Sequence, residues 1–92
     1  MSYYVYLLLS SHKRKKITYV GYTKDLNKRI KLHNIGKGAK FTRGRKWLLI
    51  YKKKFNSKSI ALKEEYKLKK NYSKRKHIKE KYLNENIYTT ST

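Results

Sequence analysis

The chain has 92 residues, room for one small domain with a single modest core. Its 26 Lys and Arg face only 5 Asp and Glu, a formal net charge of +21 with a pI near 10.3. It has no Cys, which excludes disulfides and thiolate metal sites, and no apolar run of about 18 residues able to span a bilayer.

A compact domain with that charge repels itself and is relieved by a polyanion. Nucleic acid is the natural one, because each phosphate a cation neutralises releases counterions. Charge alone does not choose DNA over RNA, and an anionic membrane surface is the other polyanion, although no membrane partner is expected. With no signal-peptide pattern, the chain reads as soluble and intracellular: cytoplasmic, or nuclear in a eukaryotic host. Lys outnumbers Arg 21 to 5 and Pro is absent, a bias that an AT-rich genome also produces. The sign of the field is therefore informative and its fine pattern is not.

Residues 3–9 form a nearly unbroken apolar and aromatic run, too short for a helix and suited to a central strand buried on both faces. Polar residues 10–16 make a turn, and residues 17–22 are a second strand, giving an antiparallel hairpin. Asp25 suits the N-terminus of a helix that runs to about Asn34 and stops at Gly36. Residues 36–44 hold three of the four glycines and read as a flexible basic loop. Residues 47–55 are a third strand. Ser57 caps a second helix through Lys70, and Ser73 caps a third marked by Ile78, Tyr82 and Leu83. The expected architecture is α+β, a three-stranded antiparallel sheet flanked by helices in the order β-β-α-β-α-α. The domain is expected over residues 1–83, followed by a polar, disordered tail over 84–92.

At 100° per residue, Leu26, Arg29, Ile30 and His33 share one sector of the first helix. The apolar pair must face the sheet, which puts Arg29 and His33 at the seam. There a guanidinium can grip a phosphate bidentately, or both residues can simply complete the packing. On the second helix Glu64 and Glu65 fall in the sector of Ile60, Ala61, Leu68 and Tyr72. A carboxylate there needs a cation, either a lysine or a hard divalent ion that takes few carboxylates plus water and phosphate oxygens. Spacing does not choose between the two. Ten tyrosines are many for this length, and most suit strands and interfaces. A phenol acting as a base at neutral pH needs cations or a metal nearby.

Several motifs recur in register over residues 4–70. Tyr4-Val5-Tyr6 and Tyr19-Val20-Gly21 are a hairpin's length apart, and Arg29 follows Gly21 by eight residues with His33 one turn on. The segment from His33 to Arg43, then Ser57-Lys58-Ser59-Ile60-Ala61-Leu62 leading to Glu65, completes the set. This order resembles the GIY-YIG nuclease superfamily, in its small stand-alone type.

The resemblance implies a one-metal phosphodiester hydrolysis. It assigns Tyr6 as general base, Glu65 as ligand of one Mg²⁺ or Mn²⁺ ion, and Arg29 as partner of the transition-state phosphate. Tyr19 and His33 would orient water or phosphate. The implied function is a DNA endonuclease of low sequence specificity, acting on structured or single-stranded DNA in repair or recombination. The loop cations Lys37, Lys40, Arg43 and Arg45, together with Thr42, are the expected nucleic-acid contacts. Three departures are visible: Tyr4 stands where the first tripeptide has glycine, the hairpin turn is long and basic, and no proline enters the third strand. No second DNA-binding module is expected, so a protein partner is expected to supply target choice. The alternative reading is a catalytically inactive basic module that binds nucleic acid through loops and stacked tyrosines.

Overall fold

A computed structural model describes residues 1–12 and 15–90. Its elements are β1 (Tyr3–His12), β2 (Lys15–Thr23), α1 (Leu26–Asn34), β3 (Leu48–Phe55), α2 (Lys58–Lys70) and α3 (Tyr72–Thr90). The α+β order and the single antiparallel sheet agree with expectation, and the strand order β2-β1-β3 puts the most apolar strand in the centre.

The hairpin is longer than its polarity suggests. β1 continues to His12 and β2 begins at Lys15, because the ladder pairs Ser10 with Ile17 and Ser11 with Lys16 where a turn is expected. What remains of the expected turn, residues 13 and 14, lies outside the described residues. Backbone pairing carries the strands past the apolar run, since ladder hydrogen bonds do not depend on side-chain polarity.

β1 buries both faces. Val5 and Leu7 join Val20, Ala61 and Leu68 in one cluster, with Ile50, Tyr51, Phe55 and Ile78 packed around it. Tyr6 and Leu8 join Trp47 in the other, with Tyr19, Leu26, Ile30 and Leu49. α1 therefore covers one face, and α2 with α3 the other. β3 carries a bulge: Leu7 pairs with Tyr51 but Leu8 with Leu49. The extra residue, Ile50, lets Ile50 and Tyr51 both reach the α2–α3 cluster although they are adjacent in sequence.

Helix caps fix the entry points. Asp25 accepts from the Lys28 amide at 3.1 Å, and Ser57 from the Ile60 amide at 3.4 Å. The cap of α3 is Asn71, whose Oδ1 accepts from the Lys74 amide at 3.0 Å, and not Ser73, which lies inside the helix. Asn and Ser cap equally well, and the sharp α2–α3 junction selects the earlier residue. Helix α3 continues to Thr90, so the backbone of residues 84–90 is helical where a polar tail is expected; residues 91 and 92 lie outside the described residues. The buried stripe of α2 is narrower than its sequence suggests. Ala61 and Leu68 are buried, whereas Ile60 is 50% and Tyr72 64% exposed. No helix among the described residues is long and apolar enough to cross a membrane.

Candidate active site on the α1 face of the sheet

The register of the hairpin places Tyr6 directly opposite Gly21. A Cβ at Gly21 would collide with the Tyr6 phenol, so glycine is required where that ring lies across β2. The ring then points at α1, where a buried hydrogen-bond chain begins. The Tyr6 hydroxyl is 2.8 Å from His33 Nε2, His33 Nδ1 is 2.9 Å from Thr42 Oγ1, and Thr42 Oγ1 donates to the Ala39 carbonyl at 3.0 Å.

The chain has a direction. A carbonyl only accepts, so the Thr42 proton goes to Ala39 and leaves Oγ1 to accept from His33 Nδ1–H. In the neutral imidazole Nε2 then carries the lone pair, and Tyr6 donates to it. Burial, reinforced by the Arg29 guanidinium, lowers the pKa of His33 below its ordinary 6.5, which favours that neutral form. Burial is also the main reason the Tyr6 phenol is pushed far above its ordinary value, with Tyr19 and Glu65 adding to the rise and Arg29 opposing it. Tyr19 is raised by burial and by Glu65, again opposed by Arg29. These couplings bring Tyr6, Tyr19, Arg29, His33 and Glu65 into one electrostatic neighbourhood, drawn from β1, β2, α1 and α2.

His33 and Thr42 are both completely buried, at 0% exposure. The loop is shaped to hold them. A Cβ at Gly38 would collide with the His33 imidazole. Trp47 Nε1 donates to the Thr42 carbonyl at 2.9 Å, while Asn34 clamps the Trp47 backbone, accepting its N–H at 2.6 Å and donating to its carbonyl at 3.2 Å. The rings interlock as well: Tyr19 meets His33 edge-on at 5.0 Å and lies along Phe41 at 6.0 Å.

Thr42 therefore does not act as an expected nucleic-acid contact; it is committed to His33 inside the protein. Its side chain looks like a loop hydroxyl in sequence, and only the closing of the loop over α1 reveals its partner. Trp47, Asn34 and Gly38 carry no local signal of their role either. Lys37, Lys40 and Arg43 are exposed around the loop, while Arg45 is half-buried with Nη1 lacking a hydrogen-bond partner.

The two acids of α2 diverge. Glu64 pairs with Lys67 at 3.9 Å and lines a cleft with Val5, Tyr51 and Phe55 on the other face. The Glu65 side chain is only 16% exposed, lies 3.7 Å from Lys69, and is the acid whose field reaches both phenols. Among the described residues no group of three His, Asp or Glu side chains could hold a metal. Glu65 is a single, partly buried carboxylate, the kind of ligand a hard divalent cation would take beside water and phosphate oxygens.

The model of the GIY-YIG catalytic domain matches residues 2–82. The chain is 47% identical over 68 residues to the UPF0213 protein OB0043 of Oceanobacillus iheyensis, covering 73% of this chain and 76% of that one. It is 41% identical over 85 residues to the UPF0213 protein RBAM_000440 of Bacillus velezensis, covering 91% and 80%. A solution NMR structure of the UPF0213 protein BH0048 from Bacillus halodurans shares 41% identity over 84% of this chain and 80% of that one, with a TM-score of 0.46. Because the GIY-YIG catalytic-domain model spans residues 2–82, nearly the whole chain, this chain belongs to the GIY-YIG nuclease family.

Proposed function

We propose that the chain is a metal-dependent endonuclease that hydrolyses DNA phosphodiester bonds with low sequence specificity, on structured or single-stranded substrates, in repair or recombination. The observation that carries this reading is the directional chain from Tyr6 through His33 to Thr42. It supplies a base for the phenol. His33 Nε2 accepts the Tyr6 proton as the phenol oxygen takes one from the attacking water, so hydroxide forms while the protein gains a single positive charge on the imidazole. The hydroxide oxygen attacks phosphorus, the bond to the leaving oxygen breaks, and that oxygen takes a proton from solvent water to leave as a hydroxyl. Arg29, beside Tyr6, offsets charge on the phosphate and also restrains the imidazolium. Tyr19, against His33, positions the water or phosphate.

Mg²⁺ or Mn²⁺ held by Glu65 would supply Lewis-acid charge at the leaving oxygen. One carboxylate suffices in a chain so poor in acids. The exposed cations Lys37, Lys40 and Arg43, with Arg45, draw in the phosphate backbone, and a protein partner supplies the choice of target.

The deciding experiment is cleavage of labelled single-stranded, duplex, flap and four-way DNA, and of RNA, with Mg²⁺, Mn²⁺ or EDTA. Wild type is compared with Glu65→Ala. Metal-dependent cutting that falls by about 10²-fold or more in the variant, with DNA binding retained, is expected. Equal cutting by the two proteins would remove Glu65 from the mechanism. Salt-sensitive binding with no turnover under any condition would instead make the chain a binding module.

A further inference from the structure

Phe41 is a large apolar side chain left 60% exposed in a basic loop. A lone exposed ring is ordinary. This one is held from behind: it lies along Tyr19 at 6.0 Å with the planes 22° apart, and Trp47 flanks it at 6.4 Å. Tyr19 in turn meets His33, so Phe41 stands two ring contacts from the Tyr6 relay. It opens on a shallow, open cleft of about 290 Å³ formed with Thr18, Tyr19, Val20, Lys69 and Arg75.

The rim of that cleft is cationic and partly fixed. Arg75 is held by two bonds to the C-terminal turn of α2, Nε to the Leu68 carbonyl and Nη2 to the Lys69 carbonyl, each 3.1 Å. The Lys69 side chain is half exposed and lies beside Glu65. An exposed, braced ring next to two cations, on a chain of net charge +21, matches the two halves of a nucleotide: a π-face and a phosphate.

We propose that this cleft is a nucleobase site, in which one unpaired base of single-stranded DNA stacks on Phe41 while the adjoining phosphates lie along Lys69 and Arg75. Bases in a duplex have both faces covered by their neighbours, so a ring on the flank of a loop can reach only a base that is splayed out. Every base has a π-face, so such a site is tolerant of sequence. The placement beside the scissile phosphate rests on the nuclease reading above; the binding itself does not.

The test is affinity measured by anisotropy in EDTA, so that no turnover intervenes. The probes are a labelled oligothymidylate of about 12 nucleotides, the same strand with abasic sites, and a blunt duplex with an equal number of phosphates. Phe41→Ala is expected to weaken binding of the single strand about tenfold and of the duplex less than about twofold. Phe41→Trp restores the single-strand affinity. Abasic sites cost wild type the same factor and cost Phe41→Ala nothing further. Phe41→Leu keeps an apolar contact behind the ring but has no π-face, and it loses affinity like the alanine variant even if that one melts early. Equal losses on single strand and duplex, or indifference of wild type to abasic sites, would overturn the site. Failure of the nuclease reading would look different: no cleavage by wild type, with these binding differences intact.

Discussion

On one side of β1, Val5 and Leu7 meet Ala61, Leu68 and Ile78; on the other, one residue along, Tyr6 and Leu8 meet Tyr19 and Trp47, with His33 bonded to the Tyr6 hydroxyl. Both faces are shut off from water, yet only the second buries a chain of polar groups. Burying apolar surface stabilises by about 25 cal/mol per Å², and it asks nothing of direction. A buried phenol, imidazole and hydroxyl stabilise only if every donor finds its acceptor, and that requirement gives the network its single sense. The same strand thus separates stability from chemistry by the alternation of its side chains.

The sharpest way to break this comparison is to change neighbouring residues on opposite faces. Tyr6→Phe removes one oxygen from the polar side and is expected to lower metal-dependent cleavage by about 10²- to 10⁴-fold, with a stability change of only about 1–3 kcal/mol. Leu7→Ala is expected to do the reverse, costing about 2–5 kcal/mol while folded molecules keep their turnover. Urea melts paired with single-turnover rates on the folded fraction check both. If Leu7→Ala silences molecules shown to be folded, or Tyr6→Phe melts as early as Leu7→Ala, the separation of roles is wrong.

A smaller effect sharpens the direction of the network. Thr42→Val leaves His33 Nδ1–H without its acceptor, a loss of about 1–3 kcal/mol, and frees the ring to exchange tautomers. Thr42→Ser should retain both the stability and the tautomer. Ring ¹⁵N shifts of His33 read this directly: wild type and Thr42→Ser should show a protonated Nδ1 and a bare Nε2. An Nε2–H form in wild type would reverse the relay and deny Tyr6 its base.

The mildest consequence is a dependence on pH that arises on the polar face. His33 has its pKa lowered from 6.5 by burial and by Arg29. The unfolded chain therefore binds more protons just below 6.5, and stability is full above that value and declines as pH falls toward the folded pKa. Tyr6 and Tyr19 are raised above 10.0 by burial first, so their contribution is full below 10.0 and is lost as pH rises through the folded values. Thermal melts across pH 5–8 should show the acid-side slope in wild type and a smaller one in His33→Gln. An identical slope in the two would place the titrating group elsewhere.

Much of this molecule is set by local pattern. The apolar run over residues 3–9 is the central strand because its alternate side chains can be buried on both faces of the sheet. Asp25 and Ser57 start their helices because their side chains satisfy amides that the helix cannot. The tyrosines, Arg29, His33 and Glu65 stand out by their order alone, and the fold brings them together. Gly21 is legible too, although the reason for it, the Tyr6 ring lying across it, is not.

Other features exist only once distant segments touch. Nothing in the spacing separates Glu64 from Glu65; where α2 packs decides that Glu65 acts on the phenols while Glu64 pairs with Lys67 and lines the other cleft. Thr42 is a polar residue in a basic loop until that loop closes over α1 and makes it the partner of His33. The bulge at Ile50, the cap at Asn71 and the bracing of Phe41 on Tyr19 likewise arise from where two elements meet. Periodicity, caps and glycine positions are readable from sequence because they act over a few residues. The direction of a hydrogen-bond chain is not, because it is decided by which groups from different elements are left facing one another without water.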